Sequence, residues 1–109
     1  MIGSCLGERV FFPGMAPYSA TKGAVKMFTQ GLARELGARG ITVNNVQPGP
    51  IDTDLNPASG DWSASQKAAV PLGRYGQVDE VAALVAFVAG PESSYINGAN
   101  LTIDGGINA

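Results

Sequence analysis

Val25, Phe28, Leu32 and Leu36 recur at three- and four-residue intervals, and Ile41-Thr42-Val43-Asn44-Asn45-Val46 follows soon after them. Apolar side chains at that spacing form one stripe along a helix. A β-branched run stopped by Pro48-Gly49-Pro50 reads as a strand with a sharp break after it. A helix followed by such a strand is the repeating unit of an α/β fold with a parallel sheet. The helix is expected from Pro17, whose missing N–H costs nothing at a first helical position, to about Gly37. Gly37 and Gly40 close it, with Arg39 near the negative end of its dipole.

The flanking segments fit the same pattern. Met1-Ile2-Gly3-Ser4 reads as the end of a strand running into a loop, too short to be a complete core strand. Gly7 and Phe11-Phe12-Pro13-Gly14 mark an irregular connection. Residues 51–70 are polar and irregular, with Asn56-Pro57, Gly60 and the aromatic Trp62, and a short helix is expected over Ser63 to Ala69. A connection of that length usually serves as a lid or binding loop. After a turn region from Pro71 to Gly76, Asp79 and Glu80 open a helix with Val81, Leu84, Val85 and Val88 on its apolar face, stopped by Gly90-Pro91. Leu101-Thr102-Ile103 reads as a last short strand before Asp104-Gly105-Gly106. There is no internal repeat and no second domain.

Length and charge restrict the partners. At 109 residues the chain is one domain at most, or part of one. Seven Lys plus Arg against nine Asp plus Glu leave no basic stripe, so nucleic acid is not an expected partner. With no histidine and one cysteine, Cys5, a nitrogen- or sulfur-ligated metal is not expected, and no internal disulfide can form. No apolar run reaches the roughly 18 residues of a membrane span, and the start lacks a signal peptide's basic residues. The expectation is a soluble, cytoplasmic protein with no membrane contact.

Tyr18 and Lys22, four apart at the head of the helix, share one face a turn apart. An ammonium beside a phenol favours the phenolate, so such a tyrosine can give and retake a proton. One lysine near a surface is a modest perturbation, so a second cation or a dry pocket is implied. The pair alone is a weak signal that more commonly describes an aromatic packed on a helix with a lysine lying along it. Cys5 has no histidine to activate it and reads as a small buried thiol.

Taken together, these segments resemble the C-terminal part of a short-chain dehydrogenase/reductase. Ile2-Gly3-Ser4 and Pro13-Gly14-Met15-Ala16 leading into Tyr18-Ser19-Ala20-Thr21-Lys22 are similar to that family's active-site segment. Val43-Asn44-Asn45-Val46-Gln47-Pro48-Gly49 resembles its strand-to-turn segment, and Leu72-Gly73-Arg74 and Ile103-Asp104-Gly105-Gly106 resemble its closing pattern. The context is similar to the 3-oxoacyl-carrier-protein reductase and glucose dehydrogenase branch. The fold implied is the C-terminal portion of a Rossmann-type, doubly wound parallel sheet, with residues 1–109 forming part of a single NAD(P)-binding domain. The function implied is hydride transfer between NAD(H) or NADP(H) and a small carbonyl/alcohol substrate.

The resemblance also implies roles. Tyr18 would be the general acid/base. Lys22 would stabilise the phenolate and hold the nicotinamide ribose, and the oxidised nicotinamide ring would be the second cation. Ser4 would polarise the substrate carbonyl as an oxyanion donor does, its alternative being a loop cap. Fourteen positions separate Ser4 from Tyr18, about one more than in many members, so the intervening loop is expected to bulge. Backbone from Pro48 through Gly49 to Ile51, with the Thr53 hydroxyl, would hold the nicotinamide amide. The alternative for Thr53 is an N-cap. Asn44 would support the loop or strand, and Trp62 would either cover the substrate or lie on a plain surface loop.

The family's Gly-rich, diphosphate-cradling turn does not precede Ser4, nor do its upstream asparagine and cofactor-selecting residue. The cofactor-binding N-terminal half is therefore expected to be absent from these residues, and apolar faces to lie uncovered. Homo-oligomerisation is expected of the full-length form, through the long helix and the last helix and strand. The alternative function is a catalytically inactive truncated fragment serving at most as an association module.

Overall fold

The computed structural model describes residues 1–109. Its elements are α1 (Ala16–Leu36), β1 (Asn45–Pro48), α2 (Ser63–Ala69), α3 (Val78–Ala89) and β2 (Asn100–Ile103), with single 3-10 turns at Cys5–Gly7, Gly37–Arg39 and Pro91–Ser93. β1 and β2 run parallel, from Asn45 opposite Asn100 to Pro48 opposite Ile103. On the other edge of β1, Ile2 bridges Val46 in parallel: Gly3 N–H donates to Val46 O at 2.7 Å and Val46 N–H to Met1 O at 3.0 Å. Three parallel segments separated by helices make the expected α/β sheet.

The strand starts at Asn45, not at Ile41. Ile41 N–H still reaches back to Leu36 O at 3.4 Å, as part of the helix exit. Val43 N–H is taken by the Asn97 side chain at 2.9 Å, because residues 96–99 turn and offer an amide side chain in place of a ladder carbonyl. Asn44 supports this corner as expected: its Nδ2 donates to Ile96 O at 2.7 Å, and its Oδ1 accepts from Ala99 N–H at 3.0 Å.

α1 has the expected length but turns a different face inward. Phe28 (59% exposed) and Met27 (64%) point to solvent, while Ser19, Thr29 and Ala33 are buried and Val25, Leu32 and Leu36 are half-buried. Thr29 faces Met1 and Ala33 faces Gly98, and nearer its start the helix meets the Cys5–Gly7 turn. A Cβ on Gly7 would lie 2.9 Å from the carbonyl carbon of Lys22, so helix and turn meet backbone to backbone. Only small residues fit such a seam. Asn97 Nδ2 ties the far end of the helix to the sheet by donating to Ala33 O at 3.1 Å.

α3 begins with a charged clasp. Arg74 donates from both Nη atoms to the Glu80 carboxylate at 2.8 and 2.7 Å, and Glu80 Oε2 accepts Gln77 N–H at 2.7 Å. The Arg74 hydrogen bonds and then the Gln77 N–H lower the Glu80 carboxyl from 4.5 to about 2. A lowered folded value means that the clasp's contribution is present above about pH 4.5 and is lost as pH falls towards 2. Both groups are exposed, so high salt should weaken it. A carboxyl-carbon NMR titration is expected to place Glu80 near 2 and, in Arg74→Ala, back towards its ordinary value.

Cys5, Val70 and Ile107 form the buried cluster, with Leu6 and Phe11 packed against it. Six hydrophobic residues are buried in all, while Leu55 (97% exposed), Leu72 and Phe87 face solvent. The radius of gyration is 14.7 Å, against about 13 Å for a self-contained domain of this length. The shape is open, and an apolar groove of ≈ 270 Å³ runs between Met1, Ile2, Val43, Val46, Val85 and Val88. No helix is long and apolar enough to cross a membrane.

Candidate active site

Lys22 links the two segments that carry the candidate catalytic side chains. Its Nζ lies 5.7 Å from the centroid of the Tyr18 ring. The same atom donates to Ile2 O at 3.3 Å, two residues before Ser4. The helical spacing of four therefore does bring phenol and ammonium together, and the ammonium also fastens the strand end. Tyr18 is 44% exposed, and its hydroxyl makes no hydrogen bond within the chain. That oxygen is free for an incoming group.

Ser4 is buried and sits in extended conformation at the head of the Cys5–Gly7 turn. Its Oγ accepts from Leu6 N–H at 3.2 Å. The loop-cap role is thus realised, and it leaves the hydroxyl proton available to a carbonyl. Ser4 O accepts Gly7 N–H at 2.9 Å and the Gln47 amide at 3.1 Å. Neighbouring Cys5 is the buried thiol expected: burial first, and then the Asp104 charge, push it up to about 11. A thiol held so far above neutrality is a poor nucleophile.

The turn after β1 supplies backbone groups. Gly49 N–H continues the ladder to Ile103 O at 3.0 Å. A Cβ on Gly49 would stand 2.7 Å from the Cα of Asp104, so only glycine allows this approach. Ile51 bridges Gly76: Asp52 N–H donates to Gly76 O at 2.9 Å, and Gly76 N–H to Pro50 O at 2.9 Å. The N–H and C=O of Ile51 itself make no hydrogen bond. In a parallel bridge they point away from the partner. One free donor and one free acceptor a residue apart from a glycine turn match a primary carboxamide, which carries both. Thr53 Oγ1 accepts Asn56 N–H at 3.2 Å within a bend, caps no helix since the next one starts at Ser63, and keeps its own proton to donate.

Residues 51–70 are irregular yet fastened. Asp52 Oδ1 accepts Ala58 N–H at 2.8 Å, and Lys67 Nζ donates to Ala58 O at 2.8 Å. Asn56 and Gln66 exchange amide hydrogen bonds at 3.0 and 3.3 Å. The Tyr75 hydroxyl, on a residue only 2% exposed, donates to Asn56 Oδ1 at 3.4 Å. Ser63–Ala69 is the expected short helix, and Trp62 before it is 76% exposed. Sequence reasoning did not single out Gln47, Tyr75 or Asn108. The one available signal was an amide where a buried parallel strand ordinarily carries an apolar side chain.

Known proteins share this fold. Residues 1–108 match the family described as enoyl-(acyl carrier protein) reductase. The chain is 50% identical over 109 residues to the cyclic-di-GMP-binding biofilm dispersal mediator protein of Escherichia coli, covering 100% of this chain and 46% of that protein. It is 46% identical over 107 residues to the 3-oxoacyl-[acyl-carrier-protein] reductase of Vibrio cholerae, covering 97% and 43%. The crystal structure of a short-chain dehydrogenase from Burkholderia cenocepacia in complex with NADP superposes with a TM-score of 0.97 at 57% identity, over 99% of this chain and 44% of that one. The chain thus spans less than half the length of the relatives it matches. With a family match over residues 1–108 and a superposition over 99% of its length, the chain belongs to the short-chain dehydrogenase/reductase family, in its C-terminal portion.

Proposed function

We propose that these residues form the proton-transfer and nicotinamide-holding part of a Rossmann-type NAD(P)(H)-dependent oxidoreductase acting on an alcohol/ketone pair. The observation that carries the reading is Lys22, whose Nζ lies 5.7 Å from the Tyr18 ring centroid and bonds to Ile2 O beside Ser4. The cofactor supplies or accepts hydride. NADP is bound by the Burkholderia relative, and the free N–H and C=O of Ile51 suit the carboxamide of that cofactor class. Pro48 and Gly49 shape the turn that presents Ile51, and the Thr53 hydroxyl donates to the same amide. Tyr18 passes a proton to the substrate oxygen in reduction and takes it back in oxidation. Lys22 places positive charge beside the phenol and donates to the cofactor's ribose. Ser4 gives its hydroxyl proton to the substrate carbonyl oxygen, where charge develops. Residues 51–70, with Trp62, cover the substrate side. The test joins residues 1–109 to the N-terminal part of the Burkholderia relative and follows NADPH oxidation with acetoacetyl thioesters and small ketones. Turnover supports the reading; a folded, NADPH-binding chimera with no turnover contradicts it.

A second reading is favoured by Met27 and Phe28, large apolar side chains exposed on the outer face of α1. On that reading the chain is an inactive association module, and homo-oligomerisation is its function. Sedimentation of the 109-residue chain and of Phe28→Glu separates the two. Self-association abolished by Phe28→Glu, together with an inactive chimera, would establish the module.

A further inference from the structure

Gln47 is the least expected side chain in the sheet. It lies on β1 at 1% exposure, between the bridge to Ile2 and the turn at Pro48, and its Oε1 has no hydrogen-bond partner. An apolar residue would be the default at a fully buried strand position. Strand alternation puts Asn45 and Gln47 on one face. There the Asn45 amide fills the space beside Gly3, 2.7 Å from where a Cβ would be, and Gln47 Nε2 reaches the next residue's carbonyl, Ser4 O, at 3.1 Å. Asn108 Nδ2 holds the following carbonyl, Cys5 O, at 3.0 Å. The turn that carries Ser4 is therefore fastened at two successive carbonyls by side-chain amides. Its other end rests on α1, where Gly7 meets the Lys22 backbone.

We infer that Gln47 is a positioning residue: its Nε2–H···O bond to Ser4 sets where the Ser4 hydroxyl stands relative to Tyr18 and Lys22. This rests on the reading of Ser4 as the carbonyl donor. The bond does not touch substrate or cofactor. It fixes the main chain of Ser4, while the Leu6 N–H fixes the hydroxyl oxygen, so the side chain has little freedom left. The buried orphan oxygen is the cost of putting an amide there, offset by the order it imposes on the turn.

The experiment is amide hydrogen exchange by NMR on the 109-residue chain, which needs neither cofactor nor turnover. Its failure is thus separable from failure of the proposed activity. In Gln47→Met, similar in size but without a donor, the Leu6 amide is expected to exchange about tenfold faster. The Val46 amide, bonded to Met1 O, is expected to keep the parent rate. Gln47→Glu, whose buried carboxyl stays protonated and can donate an O–H to the same carbonyl, should restore slow exchange at Leu6. Equal acceleration at Leu6 and Val46 would reduce Gln47 to a general packing role and overturn the inference. So would unchanged exchange in Gln47→Met, or equal rates in the Met and Glu variants. Where neither variant folds, the parent chain decides. Side-chain amide protons of Gln47 exchanging as fast as those of a solvated glutamine contradict the inference, and protected ones support it.

Discussion

Tyr18→Phe is expected to lower turnover of the joined enzyme by roughly 100- to 10,000-fold, the usual contribution of a positioned acid/base group. The change removes one oxygen and nothing else. The Tyr18 hydroxyl bonds to no other group of the chain, and its ring is 44% exposed, so the fold should be indifferent to the loss. Lys22 would keep both its place over the ring and its bond to Ile2 O. The melting temperature should therefore stay with the parent while the rate collapses, and affinity for NADPH should change little. A parent-like rate would remove Tyr18 from the chemistry. A parallel fall in stability would show that the hydroxyl serves the fold rather than the chemistry alone.

Gly49→Ala is expected to cost stability. The added methyl would meet main chain: 2.7 Å from Asp104 Cα, with no flexible side-chain end to give way. Forced overpacking of this kind costs about 1–3 kcal/mol. The push would not stop at Asp104, whose carboxylate accepts Gly106 N–H at 2.9 Å and Asn108 N–H at 3.1 Å, while Asn108 holds the Cys5 carbonyl. A methyl on the far side of β1 should thus disturb both the Ile51 backbone and the turn bearing Ser4. Gly31→Ala is the control of opposite sign. Gly31 lies within α1 with nothing within 4 Å of its Cβ position, and Gly to Ala in a helix interior gains about 0.5–1 kcal/mol. Urea unfolding of the two variants should move the midpoint down for Gly49→Ala and up for Gly31→Ala.

Much of this architecture was legible in the residues because local signals agreed with the fold. Pro17, the apolar intervals and Gly37 gave α1 almost to the residue, and Pro48-Gly49-Pro50 marked where β1 had to end. Tyr18 and Lys22 meet because helical geometry alone decides it. Phe28 went the other way because periodicity shows that a stripe exists but not which part of it faces a partner. Ile41 to Asn44 looked like strand by β-branching, yet Val43 N–H went to the Asn97 side chain 54 positions away, and Asn44 spent its own side-chain amide on Ile96 O and Ala99 N–H. The roles of Gln47, Asn108 and Tyr75 could not be read for the same reason: they consist of hydrogen bonds distant in sequence, to Ser4, Cys5 and Asn56, that no local pattern encodes.

The central claim is that this chain holds the nicotinamide end of the cofactor beside Tyr18. It is tested most directly by 15N NMR of the 109-residue chain during titration with NADPH. Saturable displacement of the Ile51 and Gly49 amide signals, with Lys22 and Thr53 moving in step, is the predicted result. Displacement confined to the Gln30, Arg34 and Asn97 surface pocket, or no displacement up to millimolar cofactor, would contradict it.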